Sequence, residues 1–313
     1  MLLYVLMRVC SALVRVLPSW LVYLVAVAAG EGFYWLWRKK RRIALQNMAQ
    51  VLGLPADHPE VKRAARCSMR NYMKYLAEFL RLQHLSADEI ARAVRHVQGW
   101  EHLEEALTHG KGVIFVSGHF GNWDVGAAFL ARNFNVTVVA DTFRPPRLNE
   151  LVQGIRRHTG IQVIGVDGAA RKLFRALRQN QIVGLLIDRP VDSSGVEVTF
   201  FGQRTNMPAG AAALALKTGA VVVPMGMWRN CDNSYSGMIA PPIVPVSTGN
   251  FDRDVQALMQ KIVHGLEEII RLHPDQWYMF RPMWPRTPAQ PAARGMLEAP
   301  GPAARPEAGT GLA

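Results

Sequence analysis

A chain of 313 residues is long enough for one large domain or two small ones, with ample sequence to bury a core. Half of it is hydrophobic and only 19% is charged, which excludes a disordered chain, and 36 Lys/Arg against 24 Asp/Glu leave a formal net charge of +12. A basic excess on so apolar a chain fits poorly with a nucleic-acid binder and points first to an anionic membrane surface. Cys10, Cys67 and Cys231 are too scattered for a zinc site or a disulfide framework, so a reduced, cytosol-facing protein is expected.

The charge is unevenly placed: residues 1–95 hold 15 Lys/Arg and 6 Asp/Glu, most of the positive excess. This stretch opens with an apolar segment, Met1 to Gly30, interrupted by Arg8, Arg15 and Pro18. Its uncharged part, Val16 to Gly30, falls short of the ~20 residues that span a bilayer without strain. Phe33, Tyr34, Trp35 and Trp37 follow, then Arg38-Lys39-Lys40-Arg41-Arg42. Apolar segment, aromatic belt and basic cluster together predict that residues 1–42 anchor the chain at the cytoplasmic face of a membrane, whether by spanning it or lying on it. Two other readings compete. Ala26-Val27-Ala28-Ala29 passes for a signal-peptide cleavage site, but Arg15 and Pro18 break the apolar core such a peptide needs. An ordinary buried helix is the second.

Residues 43–95 are helical and basic, a connector packed on the main domain. From residue 96 to 284 the pattern changes to short apolar runs: 112–116, 136–140, 161–164, 182–187 and 220–224, with a further strand and turn at 195–202. Segments of helical length lie between them, at 122–131, 147–158, 169–179 and 208–217, with Pro208 suited to a first helical turn and Gly219 to a C-terminal cap. Val255, Leu258, Met259, Ile262, Val263, Leu266, Ile269 and Ile270 share one face of a last amphipathic helix. The expected fold is therefore α/β, a mixed and mostly parallel central sheet flanked by helices, behind an N-terminal membrane-anchoring helical segment. The Pro/Ala/Gly/Arg-rich stretch 285–313 reads as a disordered tail.

In open α/β sheets reactive groups gather beyond the carboxyl ends of the strands. The exit after Val116 reads Ser117-Gly118-His119-Phe120-Gly121-Asn122-Trp123-Asp124. A His with a carboxylate five residues on is weak by itself, since His84/Glu89 and His96/Glu101 share the spacing in what read as solvated helical surroundings. His119 differs: it leaves a buried strand, between glycines, just before a helix start. Asp124 is expected to accept its ring N–H and leave the other nitrogen as a general base; a satisfied structural histidine is the alternative. A second exit delivers Asp188-Arg189-Pro190, either a functional charge or a surface ion pair.

These motifs, in order with Phe200-Phe201-Gly202, Met207-Pro208-Ala209-Gly210, Thr218-Gly219-Ala220 and Gln276-Trp277, resemble the bacterial glycolipid acyltransferases. That family comprises the late lipid A acyltransferases and the relatives that acylate phosphatidylinositol mannosides. The resemblance runs from the anchor and the Asn47 region to Trp277. It implies a glycerolipid acyltransferase-like fold and transfer of a fatty acyl chain from a thioester, on acyl carrier protein or coenzyme A, to a hydroxyl of a membrane glycolipid such as a lipid A precursor or a phosphatidylinositol mannoside. By the family's motif His119 is the general base and Asp124 its partner. Asp188 aligns with a later acidic residue, here Asp where the mannoside relatives carry Glu, and Arg156, or adjacent Arg157, aligns with a recurring Arg.

Residue chemistry fits that mechanism. His119 takes the hydroxyl proton, Asp124 stabilises the imidazolium, and backbone N–H groups of the 121–124 helix start are candidates for an oxyanion site. Ser117 lacks the Gly-x-Ser-x-Gly pattern of an activated nucleophile. Arg144, Arg156 and Arg157, with Arg147, are candidates for a phosphorylated head group or donor, and Asn122 and Trp123 are expected at the substrate. Trp123 and Phe120 are candidates for an acyl groove, core packing being the alternative. No metal, resident cofactor or nucleic-acid partner is expected; the partners are the bilayer of the cytoplasmic (inner) membrane, the glycolipid acceptor and the acyl donor. A hydrolase or thioesterase using the same His and Asp, and a non-enzymatic membrane-binding scaffold, stay open as rivals.

Overall fold

The computed structural model describes residues 2–284 apart from 167, 190 and 192–194; the expected tail at 285–313 and Pro190 lie outside the described residues. Five helices come first: α1 (Leu2–Val16), α2 (Ser19–Leu36), α3 (Arg38–Leu52), α4 (Pro59–Leu82) and α5 (Ala87–Ala93). Pro18 separates α1 from α2, as its missing N–H and fixed φ dictate. The α/β part then runs β1 (Val94–Gln98), α6 (Trp100–Thr108), β2 (Val113–Ser117), α7 (Trp123–Ala131), β3 (Val136–Ala140), α8 (Pro146–His158), β4 (Gln162–Gly165), α9 (Ala169–Arg178) and β5 (Ile182–Leu186). It ends with the hairpin β6 (Gly195–Phe200) and β7 (Gln203–Pro208), then α10 (Gly210–Thr218), β8 (Val221–Arg229), β9 (Tyr235–Ile239) and α11 (Phe251–Leu272).

Seven strands form one sheet in the order β1-β9-β8-β2-β5-β3-β4, parallel throughout except for the antiparallel pair β8/β9. The expected mostly parallel α/β fold is therefore present. Val113 to Val116 of β2 are all buried, as a central parallel strand covered on both faces requires. One face packs Leu103 and Ala106 of α6 and Leu130 of α7, while the other carries the long stripe of α11 together with α9 and α10.

Several local expectations are corrected. β1 reads as helix in sequence because an edge strand of composition Val-Arg-His-Val-Gln shows no apolar run, and His96 consequently sits on an exposed strand. β8 extends to Arg229 and turns back through β9, which the sequence pattern did not reveal. Pro208 ends β7 rather than opening α10, whereas Gly219 does cap α10 in the left-handed region, with φ of 74°. The divisions drawn at residues 42 and 95 fall inside α3 and β1, and one core cluster runs from Val14 to Met283.

After α11 the chain returns as a buried segment, Gln276 to Phe280, beside the β2 exit. Phe120 and Trp277 face each other as an antiparallel bridge, flanked by hydrogen bonds from Gly121 N–H to the Gln276 carbonyl (2.8 Å) and Tyr278 N–H to the His119 carbonyl (2.8 Å). Asn47 of α3 clamps the next turn: its amide donates to the carbonyls of Met279 (2.7 Å) and Arg281 (2.8 Å), and its oxygen accepts from Met283 N–H (3.4 Å). Because Asn47 is buried, Asn47→Ala leaves those carbonyls desolvated and unpaired. Urea unfolding of that variant is expected to show a loss of about 2 kcal/mol.

Candidate active site

Three neighbouring parallel strands, β8, β2 and β5, deliver Arg229, His119 and Asp188 at their carboxyl ends. Ser117 of β2 stands in register with Leu186 of β5, so His119 and Asp188, each two residues further on, emerge side by side. The result differs from the expected pairing. His119 Nδ1 lies 2.7 Å from Asp188 Oδ1, and His119 N–H donates to Asp188 Oδ2 at 2.7 Å. A carboxylate acceptor places the ring proton on Nδ1, leaving Nε2 as the basic nitrogen.

Asp188 is fully buried. Burial raises its pKa, but the adjacent His119 ring, both His119 bonds and the Trp277 indole N–H at 2.9 Å outweigh that, so the net direction is down. Gly118 makes room for the arrangement, since a Cβ there would sit 2.8 Å from Asp188 Oδ2. Gly121 adopts φ of 56°, and a Cβ on it would come within 1.9 Å of the Met227 carbonyl, which instead accepts Asn122 N–H at 2.8 Å.

Asp124 bonds elsewhere. Arg156 Nε donates to Asp124 Oδ1 at 2.7 Å, its Nη2 reaches Oδ2 at 3.4 Å, and the Tyr75 hydroxyl donates to Oδ2 at 2.8 Å. Burial lowers the pKa of Arg156, yet Asp124 more than compensates and holds the guanidinium charged. The orienting role expected of Asp124 thus falls geometrically to Asp188. Asp124, on the first turn of α7, ties that helix to α8 and α4.

The expected substrate contacts divide similarly. Arg156 is committed to Asp124 and Gln153 and lies over the Phe79 ring. Arg157 is exposed and paired with Glu150, and Arg144 is exposed on the loop before α8. Asn122 is fully buried: its oxygen caps α7 by accepting Val125 N–H at 3.0 Å, and its amide donates to Glu78 at 2.9 Å. Phe120 is likewise enclosed in the core. Trp123 is half-buried, 5.2 Å edge-on from the His119 ring and 4.1 Å from Tyr75 between ring centroids. The N–H groups of Gly121 and Asn122 donate to the Gln276 and Met227 carbonyls, which takes these two out of the expected oxyanion set at 121–124.

Sequence reasoning missed the residues that secure this turn. Glu78 of α4 and Arg229 form a buried bidentate pair (2.5 and 2.7 Å), with Arg229 also donating to Asn71 at 3.2 Å. Gln276 closes the array, accepting Arg229 N–H and donating to its carbonyl. Only Gln276-Trp277 had shown a signal, as part of the late motif.

The chain matches the family described as bacterial lipid A biosynthesis acyltransferase over residues 2–286, and it belongs to that family. It is 33% identical over 246 residues to a phosphatidylinositol mannoside acyltransferase of Mycobacterium tuberculosis (strain CDC 1551 / Oshkosh), covering 76% of this chain and 75% of the relative. A protein of the same description from Mycolicibacterium smegmatis is 33% identical over 245 residues, covering 76% and 78%. The protein is an acyltransferase.

Two outcomes are expected. Glu78→Ala strands Arg229 in the interior, and chemical denaturation should report a loss of about 3–5 kcal/mol. Asp188 has a folded-state pKa below its unfolded value, so it stabilises the fold above about pH 4 and loses that contribution as pH falls through the lowered value. Between about pH 6 and about pH 3 the wild type should therefore lose more stability than Asp188→Asn does.

Proposed function

We propose that this acyltransferase moves a fatty acyl chain from a thioester donor, acyl carrier protein or acyl coenzyme A, to a hydroxyl of a membrane glycolipid at the cytoplasmic face of the bacterial inner membrane. The observation that carries the reading is His119, bound through Nδ1 to a buried carboxylate, with no protein partner on Nε2 among the described residues. The names of the mycobacterial relatives favour a phosphatidylinositol mannoside over a lipid A precursor as acceptor.

His119 Nε2 removes the acceptor's hydroxyl proton while the oxygen attacks the thioester carbonyl. Asp188 stabilises the imidazolium that forms, and its bonds to His119 N–H and Trp277 hold it in place as charge develops. Collapse of the tetrahedral intermediate breaks the carbon–sulfur bond, and the imidazolium returns its proton to the departing thiolate. Asp124 positions the start of α7, and with it Trp123, through Arg156 and Tyr75. Exposed Arg144 and Arg147 remain available to a phosphorylated head group. Among the described residues one helix, α2, is long and apolar enough to cross a membrane by length and composition, which supports membrane association.

The test is mass spectrometry of the host's membrane glycolipids in a strain lacking the protein, rescued with wild type or His119→Ala. One glycolipid should lack one acyl chain, restored by wild type alone; unchanged glycolipids, or rescue by His119→Ala, would overturn the reading. With purified protein, His119→Ala should lower kcat by on the order of 10²–10⁴-fold. Gly118→Ala, which displaces Asp188, should lower kcat more than it raises KM.

A further inference from the structure

The sequence leaves open whether the N-terminal segment spans the bilayer or lies on it, and the packing of α2 bears on that choice. Val22, Ala26, Gly30 and Tyr34, each four residues apart, are the buried residues of α2. Contact with α4 is intimate: a Cβ at Gly30 would lie 2.5 Å from the Arg70 Cα. It also extends along the helix. Arg81 of α4 bonds Ser19, Lys74 Nζ lies 5.3 Å from the centre of the Tyr23 ring, and Arg66 and Arg70 both pair with Glu31.

An α2 that crossed the bilayer would carry these arginines and this lysine to hydrocarbon depth, together with buried Glu78, one helical turn beyond Lys74. The opposite faces of α1 and α2 have the complementary character. Leu2, Leu6, Val9, Leu13 and Val16, spaced alternately four and three apart, form an exposed stripe on α1. Trp20, Leu24, Val25, Trp35 and Leu36 are exposed on α2, with Leu24 59% and Leu36 85% accessible. Glu31, neutralised by its two arginines, is the one acidic residue of the two helices. The exposed cations are Arg8 and Arg15 on α1 and Arg38, Lys39 and Arg42 at the start of α3.

We infer that α1 and α2 form an in-plane platform that sinks into one leaflet of an anionic bilayer and do not span it. Amphipathic helices such as α1 lie at the boundary between head groups and acyl chains, with cations against anionic lipid, and the mostly apolar α2 packs on the same helix, α4. The inference rests on the membrane association proposed above and adds its geometry. That geometry leaves α4, which carries Tyr75 and Glu78, at the interface. A run of ring contacts then leads from Trp37 through Phe33, Phe280, Tyr72, Tyr75 and Trp123 to His119, with successive centroids 4.1–6.0 Å apart.

Depth measurement separates the two arrangements. Spin labels are placed singly at Leu6, Leu24, Ala28 and Leu36 in a full-length chain with its three cysteines replaced by alanine, after thermal melting shows each variant folded. Collisional relaxation by oxygen and a nickel chelate gives each depth in phosphatidylglycerol/phosphatidylcholine vesicles. The platform predicts one shared shallow depth for all four, and weaker binding to pure phosphatidylcholine. A spanning helix places Ala28 near the bilayer centre and Leu36 about 12 Å away along the axis; that profile, or absence of vesicle binding by wild type, overturns the inference. Leu24→Asp supplies a second check, with an expected loss of vesicle binding of at least about tenfold at unchanged melting temperature. Depth is read without turnover, so a shallow profile on a protein that transfers no acyl chain would count against the enzymatic proposal and leave the platform standing.

Discussion

A carboxylate taken wholly out of water has to find donors within the protein, and Asp188 finds three N–H groups from two distant segments. The His119 backbone and ring come from the β2 exit, and the Trp277 indole comes from the strand-like return after α11. Each bond restrains a different element, so one buried charge fixes the rotamer and tautomer of the histidine and the docking of the C-terminal segment. The antiparallel bridge between Phe120 and Trp277 is the backbone counterpart of the same restraint.

The second buried charge array works from the other side of the turn. Glu78 holds Arg229 at the end of β8 and Asn122 at the cap of α7, while Tyr75, one turn earlier on α4, holds Asp124. Helix α4 therefore touches the 119–124 turn at two places and supports α2 along its length. Buried Glu78 is tolerated because Arg229 and Asn122 pair it. A displacement of α2 would reach the turn through these contacts.

In the resemblance His119 and Asp124 stand out because they share a short motif, and their closeness in sequence suggested that they bond each other. Asp124 points instead to α8 and α4, where the charged Arg156 and the Tyr75 hydroxyl hold it. His119 is left to the carboxylate that sheet order places beside it.

What the sequence by itself determined was local. Apolar runs marked the inner strands, a period-3.6 stripe marked α11, Gly219 marked a helix end, and glycines around His119 marked a turn that tolerates no side chain. Those features depend on neighbours in the chain. Only the tertiary structure decided that β5 lies against β2, that α4 lies along α2, and that Trp277 returns to Asp188 across 89 residues. Such pairings are set by which buried charges and faces satisfy one another in three dimensions, and no periodicity in the chain records them. Edge strand β1 and the polar residues Glu78 and Arg229 were illegible for that reason: their roles exist only once their partners are in place.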